Sequence, residues 1–367
     1  MQNNAKAMQN LDQNKGVLIR TPLLSDWRAG GESGITFKEI QSDGQWDRFL
    51  PTGERQRNAS FDFFACVSFS ALNVIEMLMN RMMSYQQFNQ ENLLWLRDNG
   101  YFDENGKFNL SDRFTAKMSG TTHAGNYLTA VGDSIRNHGV VPEKDWPTTE
   151  ALTEWDLYYS EIPQEIKCKA LEFRKRFEAK YEWVLIGTPS MALLKSHLKQ
   201  SPLQLATATC SPWNTDQVIA GCGIATNHGT VLYGYTKDYW KDFDSYNPWC
   251  KKFANDYGIA WALKYVIGER EPVLPKETKF EYTFINKIRF GERSEDVVAL
   301  QTLLKIDGVF PKTVDCTGYY GSITQKAVLD FCKKYKVAST SELDYVNGRW
   351  CGTKTLAELN KQIKLLK

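Results

Sequence analysis

The sequence predicts an α+β domain followed by a small helical module. Three observations carry this: the first half is patterned for helices, the stretch after Pro202 is patterned for strands, and a Pro-interrupted charged segment precedes a C-terminal near-repeat of Gly turn and amphipathic helix. Apolar residues at helical spacing, among them Phe69, Leu72, Ile75 and Met79, predict a buried helix between about Ser60 and Tyr85. Further helices are predicted around 90–97, 125–137, 163–181 and 189–200. The runs PLQLATATC, GTVLYGYTKDYW and GIAWALKYVIG are rich in β-branched and aromatic residues and broken by Gly, Pro and Asn, which predicts strands. A helical half followed by a strand-rich half implies a cleft between them, with functional groups drawn from both sides.

Pro272 and Pro275, among mixed charges in GEREPVLPKETKF, mark a linker over 272–283. It separates a first domain over 1–271, with its core at about 46–266, from a second over 284–367. In the second, Gly318, Gly321 and Thr324 of TGYYGSITQKAVLDF are echoed by Gly348, Gly352 and Thr355 of NGRWCGTKTLAEL. Each copy leads from a Gly turn through Ser or Thr into a short amphipathic helix, so a small helical bundle is expected.

Composition narrows the function classes. Among 367 residues, 45 Lys and Arg against 43 Asp and Glu give a net charge of +2, with no basic stripe, which excludes the electrostatic footprint of a nucleic-acid binder. The N-terminal MQNNAKAMQNLDQNKG has no apolar core, so neither a secretory signal nor a membrane partner is expected, and synthesis is expected to end in the cytosol. Eight Cys are too sparse for a disulfide scaffold, and no CxxC pair occurs, so most are expected as free thiols. Cys210, Cys222, His228 and Cys250 form the nearest metal-like cluster, but their spacing fits no common zinc pattern; no metal and no cofactor are expected.

Two residues stand out as chemistry-bearing. A lone Cys in an apolar helix is by composition a small core residue. Cys66, however, falls at the start of its helix, where unpaired N–H groups and the helix dipole favour a thiolate, so its pKa is expected to be lowered. His228 is the His that stands in a short polar loop, ATNHGT, leading straight into a strand, and is the candidate base. Asp244 follows one hairpin later and could accept a hydrogen bond from the imidazole, fixing its tautomer. His123, His138 and His197 are read as surface or packing residues.

These contexts resemble the papain-like cysteine peptidases over about 46–266. ACVSFSALNVIE is similar to the block that carries that family's nucleophile, with Cys66 at the nucleophile, Phe69 and Ser70 at the following Phe-Ser, and Glu76 at the acidic helix position; the Cys-Gly-Ser-Cys itself is missing. IRNHGVVPEKDWP resembles the family's turn of Gly, Glu and Tyr-Pro, with Gly139, Glu143 and Pro147 in step and Trp146 for Tyr. In CGIATNHGTVLYGY, the residues Cys222, His228, Gly234 and Tyr235 match the loop and strand that carry the base. Asp244, Ser245 and Tyr246 stand where the family has Asn-Ser-Trp; Asp keeps the acceptor and adds a negative charge.

The resemblance implies a two-lobed fold, a helical lobe plus a β-barrel-like lobe, that hydrolyses amide bonds in a peptide or protein. It also implies an oxyanion-stabilising Gln, assigned to Gln56 through a longer loop, with Asn58 or Ser60 as alternatives, and a substrate-pairing backbone at Gly125 and Asn126.

The C-terminal module closely resembles the peptidoglycan-binding domain family. Gly291, Val297, Leu300, Gln301, Leu304, Gly318, Gly321, Thr324, Ala327, Val328, Phe331, Gly352, Thr355 and Leu359 fall in step with that family's run. A three-helix bundle follows as the expectation, with peptidoglycan as partner and Tyr319, Tyr320, Arg349 and Trp350 as exposed contacts. Cys316 and Cys351 flank the two equivalent turns and could bridge in an oxidising setting. The two resemblances together imply a phage or bacterial lysin acting at the cell wall. The competing expectation keeps the fold without the chemistry, as a structural or virion protein whose cleft grips a peptide.

Overall fold

A computed structural model describes residues 16–20, 36–186, 191–223, 225–259, 261–270, 280, 282–311, 314 and 316–365. The chain divides into two compact units, Met1–Pro272 and Val273–Lys367. The linker expected over 272–283 falls mostly outside the described residues, although Phe280 and Tyr282 pack against the second unit's core.

In the first unit a short strand β1 (Val17–Leu18) precedes the long helix α1 (Cys66–Ser84), then α2 (Gln90–Asp98), α3 (Asp112–Met118), β2 (Asn126–Tyr127), α4 (Leu128–His138), the single turn α5 (Trp155–Tyr158) and α6 (Gln164–Arg176). There follow β3 (Phe177–Ile186), α7 (Met191–Leu198), β4 (Leu203–Thr207), β5 (Val218–Ile219), β6 (His228–Tyr235), β7 (Tyr239–Phe243), β8 (Cys250–Ala254) and β9 (Trp261–Glu269). Asn89 and Ser111 cap α2 and α3 by accepting from Asn92 N–H and Phe114 N–H. The α1 helix is almost entirely buried, because its apolar residues continue round the cylinder instead of forming a stripe.

The expected helix over 163–181 ends early. From Phe177 the period changes to two: Phe177, Ala179, Tyr181 and Trp183 are buried, and the segment becomes β3, paired antiparallel with β9. The β half is a seven-stranded sheet of order β3-β9-β4-β6-β7-β8-β5. The barrel-like lobe is thus an open sheet among the described residues, with β3 and β5 at its edges. Its central strand β6 is buried along nearly its whole length and carries His228 at its first position. One core joins α1 to this sheet.

The second unit contains β10 (Ile288–Arg289), α8 (Glu295–Ile306), α9 (Ser322–Lys334), α10 (Thr340–Val346), β11 (Trp350–Cys351) and α11 (Thr353–Leu365). Among the described residues it therefore has four helices where three were expected, with β10 and β11 paired antiparallel. The extra helix α10 starts on a capping box between Ser339 and Glu342. Gln301 organises the first repeat: buried in α8, it donates to Tyr319 O at 3.0 Å and Thr324 Oγ1 at 2.9 Å and accepts from Gly318 N–H at 3.0 Å.

Candidate active site

Cys66 is the first residue of α1, and its thiol is buried. The strand β6 meets it directly. A Cβ at Gly229 would lie 3.0 Å from the Cys66 carbonyl oxygen and 3.0 Å from Ser70 Oγ. The residue before Gly229 is His228, so a glycine at this crossing lets the strand that carries His228 approach the helix start closely.

His228 is fully buried, and its Nε2 lies 2.6 Å from Asp244 Oδ1. Its Nδ1 has no hydrogen-bond partner. The carboxylate thus fixes one ring nitrogen and leaves the other without a partner. Asp244 Oδ2 accepts from Trp213 Nε1 at 2.9 Å and is 3.3 Å from Lys251 Nζ. The Trp213 ring stands edge-on to the imidazole at 5.6 Å between centroids. Lys251 is fully buried, and its ammonium also donates to Trp213 O at 3.1 Å and Pro248 O at 3.0 Å. Nothing in the sequence signals Lys251, because a Lys in an alternating strand ordinarily faces water. Asp242, one strand position before Phe243, is also buried, and burial followed by the Asp244 charge pushes its carboxyl well above the usual range.

The lowered thiol pKa expected for Cys66 is not found. Burial pushes the thiol well above its ordinary value, the Gly229 hydrogen bond opposes this, and the charges of Asp62 and Asp244 add to it. A helix N-terminus offers partial positive charge, but complete desolvation outweighs it here.

Gln56 is buried and hydrogen-bonds into the region expected of it, yet its amide is occupied. Its Nε2 donates to Asp62 Oδ1 at 3.1 Å and Tyr246 Oη at 2.8 Å, while its Oε1 accepts from Ser245 Oγ at 2.7 Å. The Tyr246 hydroxyl also bonds Asp62, and its ring lies 5.1 Å from His228. The alternatives are used structurally: Asn58 Oδ1 accepts from Ser60 N–H and Phe61 N–H, and its amide donates to Leu152 O.

The backbone expected to pair with substrate already holds an extended segment. The strands β1 and β2 pair in parallel, Val17 with Asn126 and Leu18 with Tyr127, and the Asn126 N–H donates to Gly16 O at 2.9 Å. Gly16 has φ +108° and sits against the Phe64 carbonyl, where any side chain would overlap it. The chain's own N-terminal segment therefore lies along Gly125 and Asn126, close to the turn that presents Cys66. The Asn126 side chain faces elsewhere, donating to Ser119 O and Oγ and to Thr121 Oγ1.

Two cysteine expectations change. Cys210 and Cys222 form a disulfide, which removes both from the metal-like cluster, while Cys316 and Cys351 are free thiols. No group of three or more metal-ligating side chains occurs among the described residues. His123 stacks on Trp155 at 3.7 Å, and His197, pushed down to about 4 by burial and by Lys264, is half-buried. In the second unit Tyr319, Arg349 and Trp350 are exposed as expected. Tyr320 is not: it is wholly buried, with its hydroxyl donating to Gly348 O at 2.6 Å. Adjacent tyrosines in this extended stretch must face opposite sides, and one of them builds the core.

No family model matches the chain, and no curated protein matches it. Solved structures do. It is similar to the inhibitor-bound bromelain protease of Ananas comosus at 15% identity, over 60% of this chain and 97% of that one, with a TM-score of 0.42. It is similar to digestive procathepsin L 3 of the Tenebrio molitor larval midgut at 13% identity, over 71% and 78%, TM-score 0.46. Xylellain, a cysteine protease of Xylella fastidiosa, matches at 13% identity over 71% and 97%, TM-score 0.41. These neighbours are papain-like cysteine proteases; at such identities and TM-scores the likeness decides nothing about chemistry, which rests on the residues themselves. No helix among the described residues is long and apolar enough to cross a membrane.

Proposed function

We propose that the chain is a cysteine peptidase in which Cys66 is the nucleophile, His228 the proton carrier and Asp244 the orienting acceptor. The observation that carries this is the 2.6 Å bond from His228 Nε2 to Asp244, with Nδ1 left unpartnered on the residue just before Gly229, whose backbone packs closely against Cys66 at the start of α1. His228 Nδ1 takes the thiol proton as the sulfur attacks an amide carbonyl. The first N–H groups of α1, which have no intrahelical partner, stabilise the oxyanion. The imidazolium then protonates the leaving amine, and water, deprotonated by the same ring, hydrolyses the thioester. Gln56 joins the oxyanion donors once substrate draws its amide from Asp62 and Tyr246.

In this reading β1 stands in for an extended substrate along Gly125 and Asn126, and Cys66 is masked in the form described. The burial and raised pKa of Cys66 are also what a catalytically silent binding protein would show. Alkylation separates the two. With β1 displaced, Cys66 is expected to react with iodoacetamide faster than Cys168 or Cys250, which are exposed, and a Cys66→Ala chain to lose all cleavage of a protein substrate. If Cys66 then reacts no faster than those thiols, the silent reading stands.

For the second unit we propose peptidoglycan binding through Tyr319, Arg349 and Trp350, with Arg293 stacked on Tyr319 at 4.7 Å. A wall-binding module on a hydrolase raises the local concentration of an insoluble target, which supports a lysin acting at the bacterial wall. Sedimentation of the full chain with purified peptidoglycan tests this; a chain that stays in the supernatant rejects it.

A further inference from the structure

A cavity of about 390 Å³ opens beside Tyr246 in the first unit, lined among others by Arg55, Arg57, Glu150, Asn214 and Asn247. Burial alternates along the extended segment that borders it: Gln56 and Asn58 are buried, while Arg55 and Arg57 are exposed. Successive side chains of an extended chain point to opposite sides, so the residue whose amide serves the catalytic centre and the two arginines occupy opposite faces of one strand-like stretch. Both guanidinium groups are thereby directed into the same space.

Neither arginine has a carboxylate within ion-pair distance among the described residues, whereas Arg136, Arg176 and Arg270 in the same unit are paired with Asp133, Glu91 and Glu178. Among the described residues that line the cavity the one acid is Glu150, which is engaged, its Oε2 accepting from the Ala59 N–H at 3.1 Å. Two guanidinium forks against one carboxylate leave a surplus positive charge, and the amides of Asn214 and Asn247 add donors. Tyr246 belongs both to this cavity and to the catalytic centre, through its 5.1 Å contact with His228 and its bond from Gln56.

We propose that this cavity is an anion-recognition subsite that holds a carboxylate of the peptide substrate next to the bond being cut, so that the enzyme selects acidic peptides. The inference rests on the peptidase reading for its purpose but on the cavity alone for its binding chemistry. The carboxylate comes either from a Glu or Asp side chain or from a free C-terminus, and both present the planar pair of oxygens that a guanidinium fork matches.

The test uses the Cys66→Ala/Gly16→Val chain, in which the added valine side chain displaces β1 from the cleft and binding proceeds without turnover, and three peptides carrying an uncharged coumarin: Ala-Ala-Glu-Ala amide, Ala-Ala-Gln-Ala amide and Ala-Ala-Gln-Ala free acid. Fluorescence anisotropy is expected to show one or both acids binding at least about tenfold tighter than the Gln amide, with the preference shrinking as salt rises and lost in Arg55→Gln/Arg57→Gln. Which acid binds tells a side-chain carboxylate from a terminal one. Equal binding of all three peptides, no binding, or a preference that survives the double substitution overturns the proposal. Both arginines are exposed, so the double variant keeps its fold, which circular dichroism verifies. The peptidase reading fails separately, when the chain bearing Cys66 leaves every protein substrate intact.

Discussion

Lys251→Met is the most informative perturbation of the first unit. The Lys251 ammonium is 3.3 Å from Asp244 Oδ2, and both side chains are completely buried. At that separation Coulomb's law with an effective dielectric of about 20 gives roughly 5 kcal/mol of attraction, and removing one partner of a buried pair costs about 3–5 kcal/mol because the other charge is left uncompensated. Methionine keeps much of the volume, so cavity formation contributes little. Urea unfolding followed by tryptophan fluorescence should show a fall in stability within that range for Lys251→Met. The same substitution in an Asp244→Asn background should cost far less, since the amide needs no counter-charge; a coupling above about 1.5 kcal/mol is expected from the cycle. Equal costs in the two backgrounds would refute the idea that Lys251 serves the Asp244 charge. Activity adds an independent readout: Asp244→Asn retains an acceptor for the ring and should keep measurable cleavage, whereas Asp244→Ala should lose at least about a hundredfold.

Four further outcomes follow from the geometry. Gly16→Val places a side chain against the Phe64 carbonyl and removes the hydrogen bond from Asn126, so iodoacetamide should label Cys66 roughly tenfold faster than in the parent chain; an unchanged rate sinks the masking role of β1. Glu76 and Asp112 are buried carboxyls pushed well above their ordinary range, first by burial and then by the charge of Glu54. Their folded-state pKa values exceed the unfolded ones, so the folded state holds these protons longer and stability is lost as pH rises from about 4 through the raised values. Asp112→Asn should therefore gain on the parent chain in urea midpoint as pH increases, and a pH-independent difference would contradict this. In the second unit Trp350→Ala should weaken peptidoglycan sedimentation about tenfold with little change in stability, while Tyr320→Phe should cost about 1 kcal/mol of stability and leave sedimentation unchanged, read by thermal melts beside the pelleting assay.

Part of this protein is local and therefore readable along the chain. The apolar run from Cys66 specifies α1, because a stretch of helix-compatible residues uninterrupted by Gly or Pro is a property of neighbours in sequence. The spacing from His228 to Asp244 spans one hairpin, β6 to β7, so the pairing of ring and carboxylate is already implicit in the turn between them. The Gly turn and helix repeat of the second unit is likewise short-range, and Gln301 occupies the place the pattern assigns it.

What the order of residues leaves open is whatever depends on partners far away in the chain. The switch from helix to strand at Phe177 comes from pairing with β9, some ninety residues on, which overrides a helical propensity that continues through the same segment. The contact of β1 with β2 joins residues more than a hundred positions apart, and two-residue strands carry no periodic signal. Burial decided the rest: it raised the Cys66 thiol against the helix dipole, drew Tyr320 inward while Tyr319 stayed out, and enclosed Lys251 behind Asp244. A sequence states which groups are present, but desolvation is set by everything packed around them, and it is desolvation that fixes their charge and reach.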